Sequence, residues 1–429
     1  MSNRRDFFKN LTALAGVSSF MAFADEVSAR ELESVSKMLA SDRPEETAKD
    51  ENFWGWVRES YTVSANIINL NNGNVSPQPK TVQETHDHYM RLSNEAPSYY
   101  MRRIVDQGRE TVRAKLAQHA GVSPEEIAIN RNTTEALNTI IFGIPMTAGD
   151  EVVLSPQDYP NMLNAWRQRE KRDGIVLKWV TIDLPLESEE EIIKAYTNAI
   201  TSRTKLVMIT HMIHHTGQIL PVRKIADVAR SKGAEVMVDG AHTFGHLVYS
   251  IPDLGADYFG TSLHKWMCCP FGTGFLWIKK EKISKIWPLL SAPEPASDDI
   301  RKFEHLGTRS VPKEMSISRA LDFHDIIGAE RKQARLQYLK SYWYEGVREV
   351  HGAKFRVKQD LKNSCALGSL EIEGASARDL ASHLYRNYKV HVIGLENEFL
   401  NAIRVTPHVY SNLKDLDRLV KGVRSFNTK

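Results

Sequence analysis

The chain has 429 residues, of which 42% are hydrophobic and 25% charged, and its formal net charge is +3. This length allows a large core and more than one domain, and the small net charge gives no indication of a nucleic-acid partner. The three cysteines, Cys268, Cys269 and Cys365, provide neither a metal-ligand spacing nor a disulfide framework. Cys268 and Cys269 are neighbours, and a bridge between adjacent residues would strain the backbone, so packed thiols are expected.

The first 24 residues have the pattern of an export signal. The pair Arg4 and Arg5 precedes an uncharged run over residues 11–24, which closes with Ala-Phe-Ala. A basic start, a short apolar stretch and a small-x-small end are typical of a secretory signal that is too short to span a bilayer well. The arginine pair resembles the twin-arginine type. We therefore expect a twin-arginine-type signal peptide at residues 1–24, a periplasmic or otherwise exported enzyme, and no membrane span in the mature chain. An uncleaved amphipathic helix is the alternative.

The remaining chain alternates between predicted helices and strands. Residues 25–60 are polar and charged and are expected to form a helical or loose lead-in. Helical periodicity covers residues 81–119, with a break near Pro97. Further on, the apolar runs predict strands at 151–154, 176–182, 206–209, 234–238, 257–260 and 272–278. A helix over about 312–347 then leads to strands near 366–373 and 390–393 and to a last helix from about Asn412. We predict a large domain at 61–311, and a linking helix with a small domain at 312–429.

Two of these strands end in residues that suggest a specific chemistry. Asp239 closes the run at 234–238, and Lys265 follows the run at 257–260. A carboxylate and a lysine placed in this way suit pyridoxal 5′-phosphate (PLP). The lysine would hold the aldehyde as a Schiff base, and the aspartate would keep the pyridine nitrogen protonated. Ser262 and His264 are close enough to Lys265 to hydrogen-bond the phosphate. Taken singly, a turn-capping aspartate and a surface lysine would be the simpler interpretation.

The surrounding motifs resemble the class V aminotransferase family of fold-type I PLP enzymes. Val-Asp-Gly-Ala-His, which ends at His242, matches the family's strand–Asp–x–Ala–(His or Gln) segment, and Ser-Leu-His-Lys, which ends at Lys265, matches its Ser-x-His-Lys. The resemblance covers about residues 61–425. It is greatest to the isopenicillin N epimerase-like branch, with the cysteine desulfurases as close rivals. It implies an α/β fold of the aspartate aminotransferase-like type, with a mostly parallel seven-stranded sheet in the large domain and a small α+β C-terminal domain.

The resemblance implies that the PLP phosphate is bound by a helix start and by the partner subunit. Thr133 and Thr134 begin a helix that Asn132 or Thr133 can cap, and its free N–H groups and dipole favour an anion. A plain helix cap would explain the same residues. Thr308 matches the threonine of a Glu-x-x-Gly-Thr segment that reaches the phosphate in the other subunit, which implies a homodimer. An ordinary loop Gly-Thr is the alternative.

The residues implied around the PLP ring are Tyr159, His214 and His242. Tyr159 is expected to stack on the ring, although an alignment shifted by one residue would select Asp158, which cannot stack. His214 and His242 are expected near the ring hydroxyl, and His242 is also a possible proton shuttle. The three histidines within residues 211–215 could suggest zinc, but no carboxylate or cysteine completes such a site. No metal is therefore predicted.

The resemblance also implies a substrate site. Asn72 and Gly73 lie in an Asn/Gly/Pro turn, and the matching segment of the family faces the substrate over the active-site mouth. Arg404 begins Arg-Val-Thr-Pro-His-Val-Tyr-Ser-Asn, which is similar to a family segment whose arginine holds the substrate carboxylate through two hydrogen bonds. Ser411 is one residue more than the family segment has. The implied substrate is an α-amino acid.

Together these residues predict a PLP-dependent enzyme in which Lys265 removes the Cα proton, with Asp239 and His242 as the other catalytic residues. Racemisation, transamination and β-elimination all begin with this step, so the motifs leave the reaction open. A cysteine desulfurase is disfavoured because its nucleophilic cysteine would lie in the loop 392–399, which contains none, and Cys365 is on another element. A PLP-binding protein without turnover is a further alternative, against which the intact Lys265, Asp239 and Arg404 argue.

Overall fold

The computed structural model describes residues 43–186 and 188–426. The predicted signal peptide and most of the lead-in therefore lie outside the described residues. Within the described part of the chain, no helix is long and apolar enough to cross a membrane.

The strands and helices alternate along the first two thirds of the chain. The strands are β1 (Ile68–Asn69), β2 (Ile127–Asn130), β3 (Glu151–Leu154), β4 (Val176–Trp179), β5 (Thr204–Thr210), β6 (Glu235–Asp239), β7 (Tyr258–Ser262), β8 (Gly274–Ile278), β9 (Ala353–Lys354), β10 (Gly368–Ile372), β11 (Val390–His391), β12 (Ile393–Glu396) and β13 (Asn401–Val405). The α-helices are α1 (Pro44–Thr47), α2 (Glu51–Glu59), α3 (Lys80–Glu95), α4 (Pro97–Tyr99), α5 (Arg109–Ala120), α6 (Thr133–Gly143), α7 (Pro160–Asp173), α8 (Glu189–Ala199), α9 (Val222–Ser231), α10 (Val311–Met315), α11 (Ile317–Ile327), α12 (Ala329–Val347), α13 (Ala377–Tyr388) and α14 (Leu413–Arg424).

A seven-stranded sheet forms the centre of the large α/β unit, in the order β2-β8-β7-β6-β5-β3-β4. Strand β8 runs antiparallel to both neighbours, and the other pairs are parallel. Successive side chains of a strand point to opposite faces, so Val153 packs in the core on one face while Val152 and Leu154 pack in the core on the other. A parallel sheet covered on both faces explains the nearly continuous apolar runs. The predicted fold class is confirmed.

The C-terminal unit consists of a second sheet, in the order β12-β13-β10-β9, together with α13 and α14. Strand β1 pairs in parallel with β11, and Asn71 forms a bridge with Thr406 next to β13. These pairings bring the segment after Ile68 and the segment that carries Arg404 to the same place. The exact boundary between the predicted domains stays a prediction.

The predicted linking helix differs from the structure. The linking helix expected over 312–347 is three helices, α10 to α12, and Gly328 separates the last two with a φ of 85°. This left-handed conformation ends a helix at low cost only for glycine. The described part of the lead-in, from residue 43, follows the helical alternative, because it forms α1 and α2, and α2 buries Phe53, Trp54 and Val57 in one core cluster with Trp266.

Candidate active site

A cavity of about 270 Å³ lies at the carboxyl ends of the central strands, where open α/β sheets bind their ligands. Its wall contains every predicted site residue except Asn72 and Thr308. It is lined by Gly73, Asn74, Asn132, Thr133, Thr134, Tyr159, Asn161, Thr210, His214, Asp239, Ala241, His242, Ser262, His264, Lys265 and Arg404. A larger cavity of about 680 Å³ is lined by residues including Arg58, Phe271 and Lys414. That cavity contains none of the predicted site residues, so we assign the chemistry to the smaller one.

Lys265 and His242 form the reactive end of the cavity. The Lys265 Nζ atom lies 3.3 Å from His242 Nε2. Burial lowers the pKa of Lys265 to about 8, against the opposing effect of the Asp239 carboxylate, so part of the amine is neutral near neutral pH. Burial also holds the pKa of His242 well below its usual value, with the Lys265 charge adding to the effect. The imidazole is therefore neutral and can exchange hydrogen bonds with the lysine.

Asp239 is the last residue of β6 and is 3% exposed. Its Oδ1 atom accepts a hydrogen bond from Ala241 N at 2.9 Å, and no hydrogen bond from another described residue reaches Oδ2. Burial raises the pKa of Asp239, with the Ala241 N–H and the Lys265 charge opposing the rise. The carboxyl group thus retains one oxygen for a cationic or N–H partner in the cavity.

The start of α6 forms the opposite end of the cavity. Asn132 caps the helix by accepting a hydrogen bond from Glu135 N at 2.9 Å. Thr133 N donates to Ser262 Oγ at 3.0 Å, and the two hydroxyl oxygens are 2.7 Å apart. Gly260 allows this close approach, because an added Cβ would lie 2.7 Å from Leu137 Cδ2 on α6. The hydroxyl of Ser262 at the end of β7 and the N-terminus of α6 with its Thr133 hydroxyl therefore meet at a place suited to an anion.

Arg404 lies on β13, and its buried guanidinium forms part of the cavity wall. It is 6% exposed, and its Nη1 and Nη2 atoms donate to His214 O at 3.0 Å and to Asn71 Oδ1 at 2.9 Å. Burial lowers the pKa of Arg404 to about 10, so the guanidinium stays charged at neutral pH. Both acceptors are neutral, which leaves its charge available to a carboxylate.

Comparisons with known proteins identify the family. The chain matches the aminotransferase class-V family over residues 68–396. It belongs to this family. It is similar to the isopenicillin N epimerase of Amycolatopsis lactamdurans, with 26% identity over 87% of this chain and 98% of the relative. It is also similar to a probable cysteine desulfurase of Halalkalibacterium halodurans, with 28% identity over 83% of this chain and 92% of the relative.

Solved structures confirm the fold of this class-V chain. The apo cysteine desulfurase of Thermococcus onnurineus superposes with a TM-score of 0.77 at 22% identity, covering 86% of this chain and 97% of that one. A cystine C–S lyase in complex with cysteine persulfide superposes with a TM-score of 0.78 at 21% identity, covering 84% of this chain and 98% of that one. The family is PLP-dependent, and the chain is a PLP-dependent enzyme.

The cavity of this class-V enzyme fits PLP. Three buried atoms on its wall, His242 Nδ1, His214 Nδ1 and Arg404 Nε, have no hydrogen-bond partner among the described residues, and unpaired buried polar groups of this kind are expensive unless a ligand satisfies them. The α6 start and Ser262 would hold the phosphate, Asp239 the pyridine nitrogen, and Lys265 the aldehyde. No group of three or more His, Cys, Asp or Glu placed to hold a metal occurs within 43–186 and 188–426.

Tyr159 and His214 form one side of the cavity. Their rings meet edge to face, with centroids 5.3 Å apart, and Tyr159 is 39% exposed. Asp158, the residue that a shifted alignment would select, is 2% exposed and does not line the cavity. Of these two neighbours, only Tyr159 can contact a ring bound there.

The other predicted site residues, Asn72 and Thr308, lie outside the cavity of their own chain. Asn72 is fully buried, donates to Thr406 O at 2.9 Å and accepts from the Tyr410 hydroxyl at 2.6 Å. Its side chain therefore attaches the turn to the C-terminal unit, while its neighbours Gly73 and Asn74 line the cavity. The implied contact was between the Asn-Gly backbone and the substrate, so substrate binding by Asn72 stays a prediction. Thr308 is exposed and accepts a hydrogen bond from Arg102 at 2.9 Å.

Sequence analysis missed two residues that the structure brings to the site, Asn71 and Thr210. Asn71 holds Arg404 through its amide oxygen. Thr210 is the register partner of Asp239 in the parallel sheet and lines the cavity. The signal for Thr210 was its place directly after the predicted strand at 206–209, since neighbouring parallel strands end at one edge.

Proposed function

We propose that this enzyme acts on an α-amino acid and breaks its Cα–H bond, with Lys265 as the base. The observation that carries the proposal is that Lys265, Asp239 and Arg404 line one small cavity. PLP supplies the electron sink that makes the bonds at Cα labile. The protein must then hold the carboxylate, accept the proton and keep the pyridine nitrogen protonated.

For holding the carboxylate and for moving the proton, the cavity has a residue whose charge or protonation suits the task. Arg404 is charged and buried, and its acceptors in the described part of the chain are neutral, so it can bind a carboxylate with its planar fork. Lys265 has a pKa lowered to about 8, which suits a base that works near neutral pH. His242, neutral and 3.3 Å from the lysine amine, can receive or return a proton at Lys265 Nζ.

Among the possible outcomes, we propose an isopenicillin N epimerase-like reaction, with transamination and elimination as variants of the same first step. Two isopenicillin N epimerases, from Amycolatopsis lactamdurans and Streptomyces clavuligerus, are similar to this chain over 87% and 86% of its length. Epimerisation returns a proton to Cα, transamination moves it elsewhere, and elimination expels a β substituent.

A cysteine desulfurase is the second candidate, because several relatives carry that name. That reaction needs a nucleophilic thiol that can reach the substrate. In the described chain, Cys268, Cys269 and Cys365 are all buried, and none of them lines the cavity. Burial raises the pKa of each thiol, which works against thiolate formation. These observations disfavour the desulfurase.

We further propose a homodimer in which Thr308 reaches the phosphate bound by the partner subunit. Thr308 is exposed and does not line the cavity of its own chain, which favours a contact with another chain, and the hydrogen bond from Arg102 would hold its side chain in place.

Export through the Arg4–Arg5 signal is also proposed. Replacement of both arginines by lysine should keep the protein in the cytoplasm, and unchanged export of that variant would contradict the twin-arginine route.

One incubation tests the reaction. The holoenzyme is incubated in heavy water with a panel of L- and D-amino acids, and 2-oxo acid, ammonia, optical inversion and Cα deuteration are measured together. Deuteration accompanied by inversion supports the epimerase. If 2-oxo acid forms only when an amino-group acceptor is present, the reaction is transamination. If ammonia forms without such an acceptor, the reaction is elimination. An enzyme that gives none of the four signals with any amino acid would contradict the proposed chemistry.

A further inference from the structure

Asp158 is a buried carboxyl group that the proposed chemistry does not use, and it adjoins the cavity residues Tyr159 and Thr210. It is 2% exposed and lies in the turn after β3, where its Oδ2 atom accepts a hydrogen bond from Ser155 N at 2.8 Å. Its Oδ1 atom accepts a second one from the Thr210 hydroxyl at 2.6 Å. Thr210 is the last residue of β5 and the register partner of Asp239 in β6. The carboxyl group therefore links the ends of β3 and β5, and β5 in turn pairs with β6.

This connection reaches two walls of the cavity. Tyr159, the next residue along the chain, lines one wall and begins α7 as its N-cap residue. Thr210 and Asp239 line another. Asp158 holds Tyr159 through the turn, whose backbone is closed by the 3.0 Å bond from Asp158 N to Ser155 O, and it holds Thr210 through its side chain. A change at Asp158 must therefore alter how Tyr159 sits relative to Asp239.

Asp158 also interacts with Asp239 through its charge, in addition to the hydrogen-bonded link through Thr210. Its two hydrogen-bond donors are neutral, and among the described residues it interacts electrostatically with Asp239 from β6 and Tyr196 from α8. Burial raises the pKa of Asp158 to about 7, with the Asp239 charge adding to the rise. Burial raises the pKa of Tyr196 well above its usual value, and the Asp158 charge adds to that rise. Repulsion between two carboxylates is mutual, so charged Asp158 also increases the proton affinity of Asp239.

We propose that Asp158 is a positioning residue that fixes Tyr159 and Thr210 around Asp239 and, when charged, strengthens the hold of Asp239 on the pyridine proton of PLP. The inference rests on the proposed role of Asp239, and it adds a second carboxyl group whose charge controls the first. Protonation of Asp158 below neutral pH removes the repulsion, so Asp239 then holds the pyridine proton less firmly.

The test measures the carboxyl group itself on the holoenzyme. Infrared spectra of protonated carboxyl groups and the absorbance band of bound PLP are recorded between about pH 5.5 and pH 9. The wild-type enzyme should show a carboxyl titration near pH 7, and Asp158→Asn should lose it together with the matching step in the PLP band. Thr210→Val should move the midpoint up by about one pH unit, because the lost hydrogen bond favoured the charged form.

Asp257→Asn is the matched control. Asp257 is also buried, at 7% exposure, and accepts a hydrogen bond from Val236 N at 2.9 Å, but it lies at the opposite end of the same sheet. This variant should keep the titration of the wild-type enzyme. An unchanged titration in Asp158→Asn, or a midpoint that moves down in Thr210→Val, would overturn the proposal. If Asp158→Asn fails to fold, the Thr210→Val midpoint still decides it.

The same spectra separate this inference from the proposed function. If the carboxyl titration disappears in Asp158→Asn while the PLP band keeps its wild-type pH profile, Asp158 does not act on Asp239 and the inference is wrong. If Asp239→Asn binds PLP and turns over like the wild-type enzyme, the role of Asp239 in the proposed function fails, whatever Asp158 does.

Discussion

Replacement of Arg404 tests whether the substrate is an α-amino acid. The guanidinium is 6% exposed, and among the described residues its hydrogen-bond acceptors are the neutral groups His214 O and Asn71 Oδ1. A substrate carboxylate would be the charged partner of a buried cation, and removal of one partner of such a pair costs about 2–5 kcal/mol. Since about 1.4 kcal/mol is a factor of ten, Arg404→Ala should weaken amino-acid binding roughly 30- to 4,000-fold.

The assay is a spectral titration of the bound-PLP absorbance with amino acids and with the matching amines that lack the carboxylate. Arg404→Ala should lose affinity for amino acids only, and Arg404→Lys should recover little, because an ammonium cannot reproduce the planar fork. Arg131→Ala is the control, since it removes an arginine that is 58% exposed and lies outside the cavity wall. Equal weakening toward amines and amino acids would refute the reasoning and make Arg404 a structural residue.

Three further predictions concern single residues. Asp239→Asn should keep PLP bound but slow turnover by roughly two orders of magnitude, because an amide cannot hold the pyridine proton; turnover within a few-fold of the wild type would contradict this. Mixing Thr308→Ala chains with Lys265→Ala chains should restore one intact PLP site per hybrid dimer, and no gain in the PLP band over the separate variants would contradict the contact in trans. Lys340 is buried without a hydrogen-bond partner among the described residues, and burial lowers its pKa to about 7 from 10.5. Between those values only the unfolded state is protonated, so stability should fall by up to about 1.4 kcal/mol per pH unit as pH decreases and then level off below pH 7. Urea unfolding at several pH values should show that Lys340→Met removes this slope, and an unchanged slope would contradict the assignment.

The ends of the predicted strands were more accurate for a strand with two neighbours in the sheet than for an edge strand with one. The strand at 151–154 was predicted with its observed ends, because a Gly-Asp turn and Ser-Pro bracket an apolar run that is buried between two neighbours. The run at 176–182 is also apolar in part, but its strand ends at Trp179. It is an edge strand, and its partner in the described sheet, β3, has four residues. Val180 N still donates to Leu154 O at the end of β3, and the residues after Val180 have no further residue of β3 to pair with. Strand length here depends on the partner.

In the candidate site, some residues could be predicted from short sequence motifs, whereas others depend on contacts between segments that are far apart in sequence. Lys265 and Asp239 lie in short contiguous motifs, so the sequence alone was sufficient to propose them, and the structure places both in the cavity wall. Their catalytic roles stay predictions. The choice among Asn71, Asn72 and Gly73 depended on the bridge between Asn71 and Thr406, which lie far apart in sequence. That pairing turns the Asn71 amide to Arg404 and the Asn72 amide to Thr406. A turn motif cannot specify which of its side chains will face the cavity, because the distant strand decides it.

The central claim is that Lys265 carries PLP and acts as the base. Treatment of the holoenzyme with borohydride should fix PLP to one lysine, and mass spectrometry of the proteolytic peptides then identifies it. We predict a phosphopyridoxyl group on the peptide that contains Lys265, and loss of both the adduct and the visible PLP band in Lys265→Ala. An adduct on Lys332, the other buried lysine near this loop whose pKa is lowered to about 8, or an adduct that persists in Lys265→Ala, would contradict the account.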